Sequence, residues 1–164
     1  DLRMSRGLGD VYKRQVIIGL ASKAEITILD EPAAGLDVIV REEFYKLIID
    51  EQQENGRTFI ISTHIIEEAA NVFEEVIILK DKCVYLKENT VELLDKCRYV
   101  SGLEEDVKNA VDGCKIINEE HIGRSYAVTV MQDGDGKIKA VQHVTVQPVS
   151  LQNLFIAICG QSNM

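Results

Sequence analysis

Apolar and polar positions follow two different rhythms along this chain. Residues 16–22 suit the end of a helix, and Glu25 to Leu29 is a short apolar run bounded by charge, the pattern of a buried strand. Val40, Phe44, Leu47 and Ile48 then recur at helical spacing behind Asp37, a capping residue, and Asn55-Gly56 closes the stripe. Arg57 to Ser62 is the next strand. Strand, helix and strand of these lengths, with no hairpin turn, predict a right-handed parallel crossover, the unit of an α/β fold.

An acidic amphipathic helix is predicted from His64 to about Glu74, followed by two strands that turn at Asp81-Lys82 and a short helix from Asn89-Thr90 to near Cys97. The second rhythm starts there. Ser101 with Glu104 reads as a capping box whose helix Gly113 stops. Strands are predicted at Cys114 to Glu119 and Ser125 to Met131, a turn at Asp133 to Gly136, a short helix over Lys137 to Gln142 and a strand over His143 to Val149. Ser150 caps a last helix carrying Leu151, Leu154, Phe155 and Ile158 on one face, with Gly160 behind it.

Composition narrows the classes. Among 164 residues, 46% are hydrophobic, enough for a core, and the net charge of -9 argues against binding nucleic acid through its phosphates. Apolar runs such as residues 16–21 and Leu154 to Cys159 fall far short of the roughly 20 residues a spanning helix requires, so no membrane span is expected. Cys83, Cys97, Cys114 and Cys159 lack metal-ligand or C-x-x-C spacing and read as reduced packing thiols of a cytoplasmic protein.

The chemistry gathers in I-T-I-L-D-E-P-A-A-G-L-D, Ile26 to Asp37, and in Ser62-Thr63-His64. A carboxylate at the C-terminal end of a parallel strand projects into the crevice where α/β proteins bind ligands. Asp30 is placed to hold Mg²⁺, directly or through water, and Glu31 to accept a proton from an attacking water, as metal-assisted phosphoryl transfer needs. No G-x-x-x-x-G-K-[ST] phosphate loop occurs anywhere in the sequence.

With those residues in hand, I-T-I-L-D-E-P resembles the Walker B motif, A-A-G-L-D the D-loop and S-T-H the histidine switch of ATP-binding-cassette (ABC) ATPases, in the family's order and with 33 positions from Glu31 to His64. The resemblance implies the C-terminal half of an ABC-type P-loop ATPase domain over residues 16–97, followed by a small α+β accessory domain over 98–164. It makes Asp30 the Mg²⁺ ligand, Glu31 the general base, Asp37 the group that reaches across a dimer and His64 the γ-phosphate sensor of an ATP hydrolase. It further implies a second ATPase subunit, identical or not, and an integral membrane permease that holds the protein at the inner face of the cell membrane. Pro148 to Gly160 resembles the tail of ATPase subunits from bacterial ABC-2-type exporters of antibiotics, peptides or lipids. The alternatives are a soluble ATPase of the same family, not coupled to transport, and a non-catalytic dimerisation or regulatory module.

The match breaks at the front. Met4-Ser5-Arg6-Gly7-Leu8 is a degenerate copy of the family's signature, in which Ser5 and Gly7 would offer a hydroxyl and backbone N–H groups to the γ-phosphate, but the stretch from Ser5 to Asp30 is longer than the family's. Asp10 to Gln15, D-V-Y-K-R-Q, is also the translation of a transposase adapter end used in preparing sequencing libraries. Residues 1–15 are therefore expected to be a truncated signature region carrying assembly artefact. With no phosphate loop, the chain alone is expected not to hydrolyse ATP.

Overall fold

The computed structural model describes residues 17–134 and 136–160. The fold is mixed α/β and divides into two compact units, one reaching to Val72 and the other starting at Phe73.

The first unit is built on a parallel strand pair, β1 (Ile26–Asp30) and β2 (Thr58–Ser62), joined through α1 (Val38–Asn55). Asp37 caps α1 by accepting from the Val40 N–H at 3.0 Å, and Gly56 ends it in the left-handed conformation that glycine adopts without penalty. The buried side chains of α1 are Phe44, Tyr45 and Ile48, whereas Leu47 is half exposed, so the inward stripe is rotated from the one the spacing predicted. The helix expected from His64 to Glu74 is only α2 (Ile66–Ala69); Asn71-Val72-Phe73, all weak helix formers, follow it.

Arg57 ties this unit together. Its buried guanidinium donates to the carbonyls of Gly19, Leu20 and Ala24, to Thr27 Oγ1 and to Glu51 Oε2, the last at 2.7 Å, and it lies over the Phe59 ring. Residues 17–21 are helical, so two of those carbonyls belong to a helix end, where Leu20 also accepts from the Lys23 N–H at 3.3 Å and Gly19 from the Ser22 hydroxyl at 2.8 Å. The strands are not buried as a parallel pair usually is. Ile26, Ile28 and Ile60 are 62%, 74% and 51% exposed.

The second unit begins with a hairpin, β3 (Glu75–Lys80) and β4 (Cys83–Asn89), whose two turn residues, Asp81 and Lys82, both have positive φ. Asn89 caps α3 (Thr90–Lys96) by accepting from Val91 and Glu92. Then come β5 (Cys97–Gly102), α4 (Glu104–Ala110), β6 (Lys115–Ile122), β7 (Ser125–Met131), β8 (Thr145–Pro148) and α5 (Leu151–Cys159). The four strands form one antiparallel sheet in the order β6-β7-β5-β8, the topology of a split βαβ unit.

One face of that sheet is a closed core. Val100, Tyr126, Val128 and Val130 pack with Val107, Ala110 and Val111, and Ile138, Val141 and Val144 close over them. Ile138 and Val141 come from the segment predicted as a short helix, which is irregular, and Val144 from the predicted strand, which starts only at Thr145. The Lys139 N–H is taken by the Ala110 carbonyl at 2.8 Å, binding the segment to the end of α4 instead of to its own preceding turn. Gly102 lets the same segment pass close, since a Cβ there would sit 2.7 Å from the His143 carbonyl oxygen. The predicted capping box is absent. Ser101 lies in β5, and the N-cap of α4 is Leu103, with no side-chain bond. The cap of α5 is as expected, Ser150 accepting from Asn153 N–H.

All four cysteines are free thiols; Cys97 is buried, and burial pushes its thiol up to about 11. Among the described residues no helix is long and apolar enough to cross a membrane.

Candidate functional site

The parallel register sets Asp30 opposite Ser62, so the two strands end together and release their next residues, Glu31 and Thr63-His64, side by side. The Ser62 hydroxyl donates to Asp30 Oδ1. Glu31 N–H donates to the Ser62 carbonyl at 2.9 Å, which carries the strand pairing one step past its formal end.

Glu31 then turns sharply. Its φ is +46°, in the left-handed region that costs a non-glycine residue roughly 1–2 kcal/mol. The turn is held by the side chain: Glu31 Oε1 accepts from the His64 backbone N–H at 3.0 Å and lies 2.7 Å from His64 Nδ1, while Oε2 accepts from Thr63 Oγ1 at 3.3 Å. Since an ionised carboxylate only accepts, Nδ1 carries the proton, and Nε2 is turned away from this pair. The His64 ring is 75% exposed and the Glu31 side chain 33%. Thr63 Oγ1 also accepts from the Ile65 N–H at 3.0 Å, so one hydroxyl fixes both the carboxylate and the chain that follows it.

Four of the six residues singled out from the sequence are described. Asp30, Glu31 and His64 come together through β1 and β2. Asp37 stands apart at the N-terminus of α1, its carboxylate engaged as a cap. Ser5 and Gly7 lie outside the described residues. Sequence reasoning passed over Ser62 and Thr63 as structural partners of the two carboxylates. The signal was available, as two adjacent hydroxyls at a strand end beside a histidine are suited to hold acceptors across a parallel pair.

Among the described residues no group of three or more His, Cys, Asp or Glu side chains stands ready to hold a metal ion. The donor set nevertheless suits Mg²⁺. Asp30 is an exposed hard oxygen ligand at a strand end, and Mg²⁺ characteristically takes one or two carboxylates while keeping water and phosphate oxygens for its other positions.

The chain is similar to several known proteins. An uncharacterized ABC transporter ATP-binding protein of Methanocaldococcus jannaschii is 34% identical over 149 residues, 90% of this chain and 51% of that protein. The energy-coupling factor transporter ATP-binding protein EcfA2 of Staphylococcus saprophyticus is 33% identical over 103 residues, covering 63% of this chain and 36% of its own. Among solved structures, an inward-facing ABC transporter of metal-chelate type aligns with 80% of this chain and 43% of its own, at a TM-score of 0.42 and 16% identity. No protein-family model matches the chain. Its curated relatives are thus ATP-binding proteins of ABC transporters, and the chain spans about half the length of the one from M. jannaschii.

Proposed function

We propose that this chain is the C-terminal part of an ATP-binding subunit that hydrolyses ATP to drive an ABC-type membrane transporter. The observation that carries the reading is the Glu31 carboxylate, presented at the end of a parallel strand pair and gripped by the backbone and ring of His64. In this role Glu31 takes the proton of the water that attacks the γ-phosphate. His64 keeps the carboxylate oriented through Nδ1 and faces the γ-phosphate with Nε2; to donate there, the ring must carry both protons. Asp30 would hold Mg²⁺, which would neutralise the triphosphate charge. Ser62 fixes the Asp30 carboxylate for that task.

Asp37, and Ser5 and Gly7 of the signature-like segment, are assigned to the contact with a second ATPase subunit, of the same or a different kind. A membrane permease supplies the span that the described helices lack and holds the protein at the inner face of the membrane. Closure around ATP does mechanical work because the closed pair binds ATP better than the open one. Export is supported by the tail, Pro148 to Gly160. The similarity to an energy-coupling factor transporter subunit supports a second reading, in which the same chemistry serves that class of transporter.

No phosphate-loop motif occurs in this sequence, so we assign hydrolysis to the protein that joins this segment to such a loop. The test is an ATPase assay of that protein beside its Glu31→Gln variant. We expect a loss of about 10² to 10⁴ in rate with nucleotide binding retained. Equal rates would remove Glu31 from the chemistry, and absence of nucleotide binding would favour a non-catalytic module.

A further inference from the structure

The sheet of the second unit has a second face, and it is unlike the first. In the register of the four strands, Gln147 lies beside Tyr99, Tyr99 beside Thr129 and Thr129 beside Asn118. One rung across β8, β5, β7 and β6 is therefore polar from end to end: amide, phenol, hydroxyl, amide. On the neighbouring rung Glu120 accepts from the Tyr99 hydroxyl at 2.9 Å. The rung is not simply a solvated surface. Thr129 is only 6% exposed, and burial together with the bond to Glu120 raises the Tyr99 phenol above its usual range, which keeps it a donor to that carboxylate.

These groups line a cavity of about 330 Å³ between the sheet and α5, within the size range of small-molecule sites. Its opposite wall is formed partly by Val149, Ile156 and Ala157, with Asn153 the polar group contributed by α5. An apolar wall facing a line of hydrogen-bonding groups suits a ligand with a hydrocarbon face and a polar edge. Charge narrows the class. Glu120 is the sole ionic side chain of the lining, and neither lysine nor arginine contributes to it, so an anion would meet repulsion with no cation to offset it.

We propose that this cavity is a binding site for a small hydroxylated amine, with the ammonium group on Glu120 and hydroxyl groups along the Tyr99, Thr129 and Asn118 rung. The site lies wholly in the second unit and does not depend on the ATPase reading.

The test is a titration of the full chain, labelled with ¹⁵N, with three probes of one size and different charge: glucosamine, glucose and glucuronate. We expect saturable shifts of the Tyr99, Asn118 and Thr129 amides with glucosamine, at least tenfold weaker binding of glucose and none of glucuronate. Glu120→Gln should weaken glucosamine at least tenfold, and because Glu120 is exposed its amide spectrum elsewhere should stay that of the folded chain. Tyr99→Phe, which keeps the ring, should weaken glucosamine and glucose alike. No saturable shift with any probe would overturn the site. Glucuronate or glucose binding as well as glucosamine, or an unchanged affinity in Glu120→Gln, would overturn its recognition of an amine.

Discussion

The parallel pair of the first unit and the antiparallel sheet of the second are made of similar residues and buried very differently. Ile26, Ile28 and Ile60 leave half or more of their surface open, whereas Val100, Val128 and Val130 are at most 1% exposed. Two strands and a helix cannot close a core, while four strands with α4 and a folded-back segment can. The chemistry sits on the poorly closed unit. The site proposed to meet a nucleotide and a second subunit lies in the unit whose core is less closed.

In each unit a side-chain cation reaches carbonyls at a helix end: Arg57 those of Gly19 and Leu20, and Lys80, at 2.6 Å, that of Ile158 in α5. The first unit leans on this device harder. Arg57→Ala should cost it about 3 to 5 kcal/mol, the range for breaking a buried charged network. Hydrogen exchange should show amides of residues 17–72 losing protection while those of β5 to β8 keep theirs. Protection lost equally in both would mean that the units do not unfold independently.

A matched pair of substitutions sharpens the contrast. Val128→Thr places a hydroxyl in the closed core and should cost about 1 to 3 kcal/mol, whereas Ile28→Thr, on the open strand, should stay within about 0.5 kcal/mol. Comparable losses in denaturant melts of the two variants would show that something covers Ile28. The caps should behave alike in the two units. Asp37→Ala and Ser150→Ala should each cost about 1 kcal/mol, read by helix content on heating, because each removes one acceptor from one helix N-terminus.

The smallest expected effect is that of acid. Lys108 holds the Glu104 carboxyl, and Lys139 holds that of Asp112, below their ordinary values of 4.5 and 3.8. A depressed carboxyl stabilises the fold above its unfolded value, and that contribution disappears as pH falls through the folded one. Melts of the second unit should therefore be level above about pH 5 and decline slightly below pH 4. Both groups are exposed, so 0.5 M salt should flatten the decline.

Much of this was legible in the residues. Ser125–Met131 is a strand as predicted, Asp37 and Ser150 cap as expected, and the Asp81-Lys82 turn makes the hairpin. Asp30, Glu31 and His64 were named from motif and spacing, and the parallel register brings them together. What failed, failed because tertiary structure outbid local preference. The segment of Ile138 and Val141 has helical spacing but is tied to α4 and sits between glycines and a left-handed His143. Ser101 has a capping side chain and a strand position. Arg57 stands between the Asn55-Gly56 stop and the apolar run that begins at Phe59, and nothing local indicates that it finds five acceptors.

The backbone turn at Glu31 has a bearing on how this position varies in time. A glutamate there stands in a backbone conformation that favours glycine or asparagine, so backbone preference by itself would exchange the residue at codon 31. In lineages where the carboxylate is no longer required, replacement by either of those two should be fixed early, since it relieves the backbone at the cost of the side-chain bonds to Thr63 and His64 alone. Codon 37, whose carboxylate also caps a helix, should erode more slowly. The order in which those two codons decay is a record of whether the lineage lost its chemistry before it lost its fold.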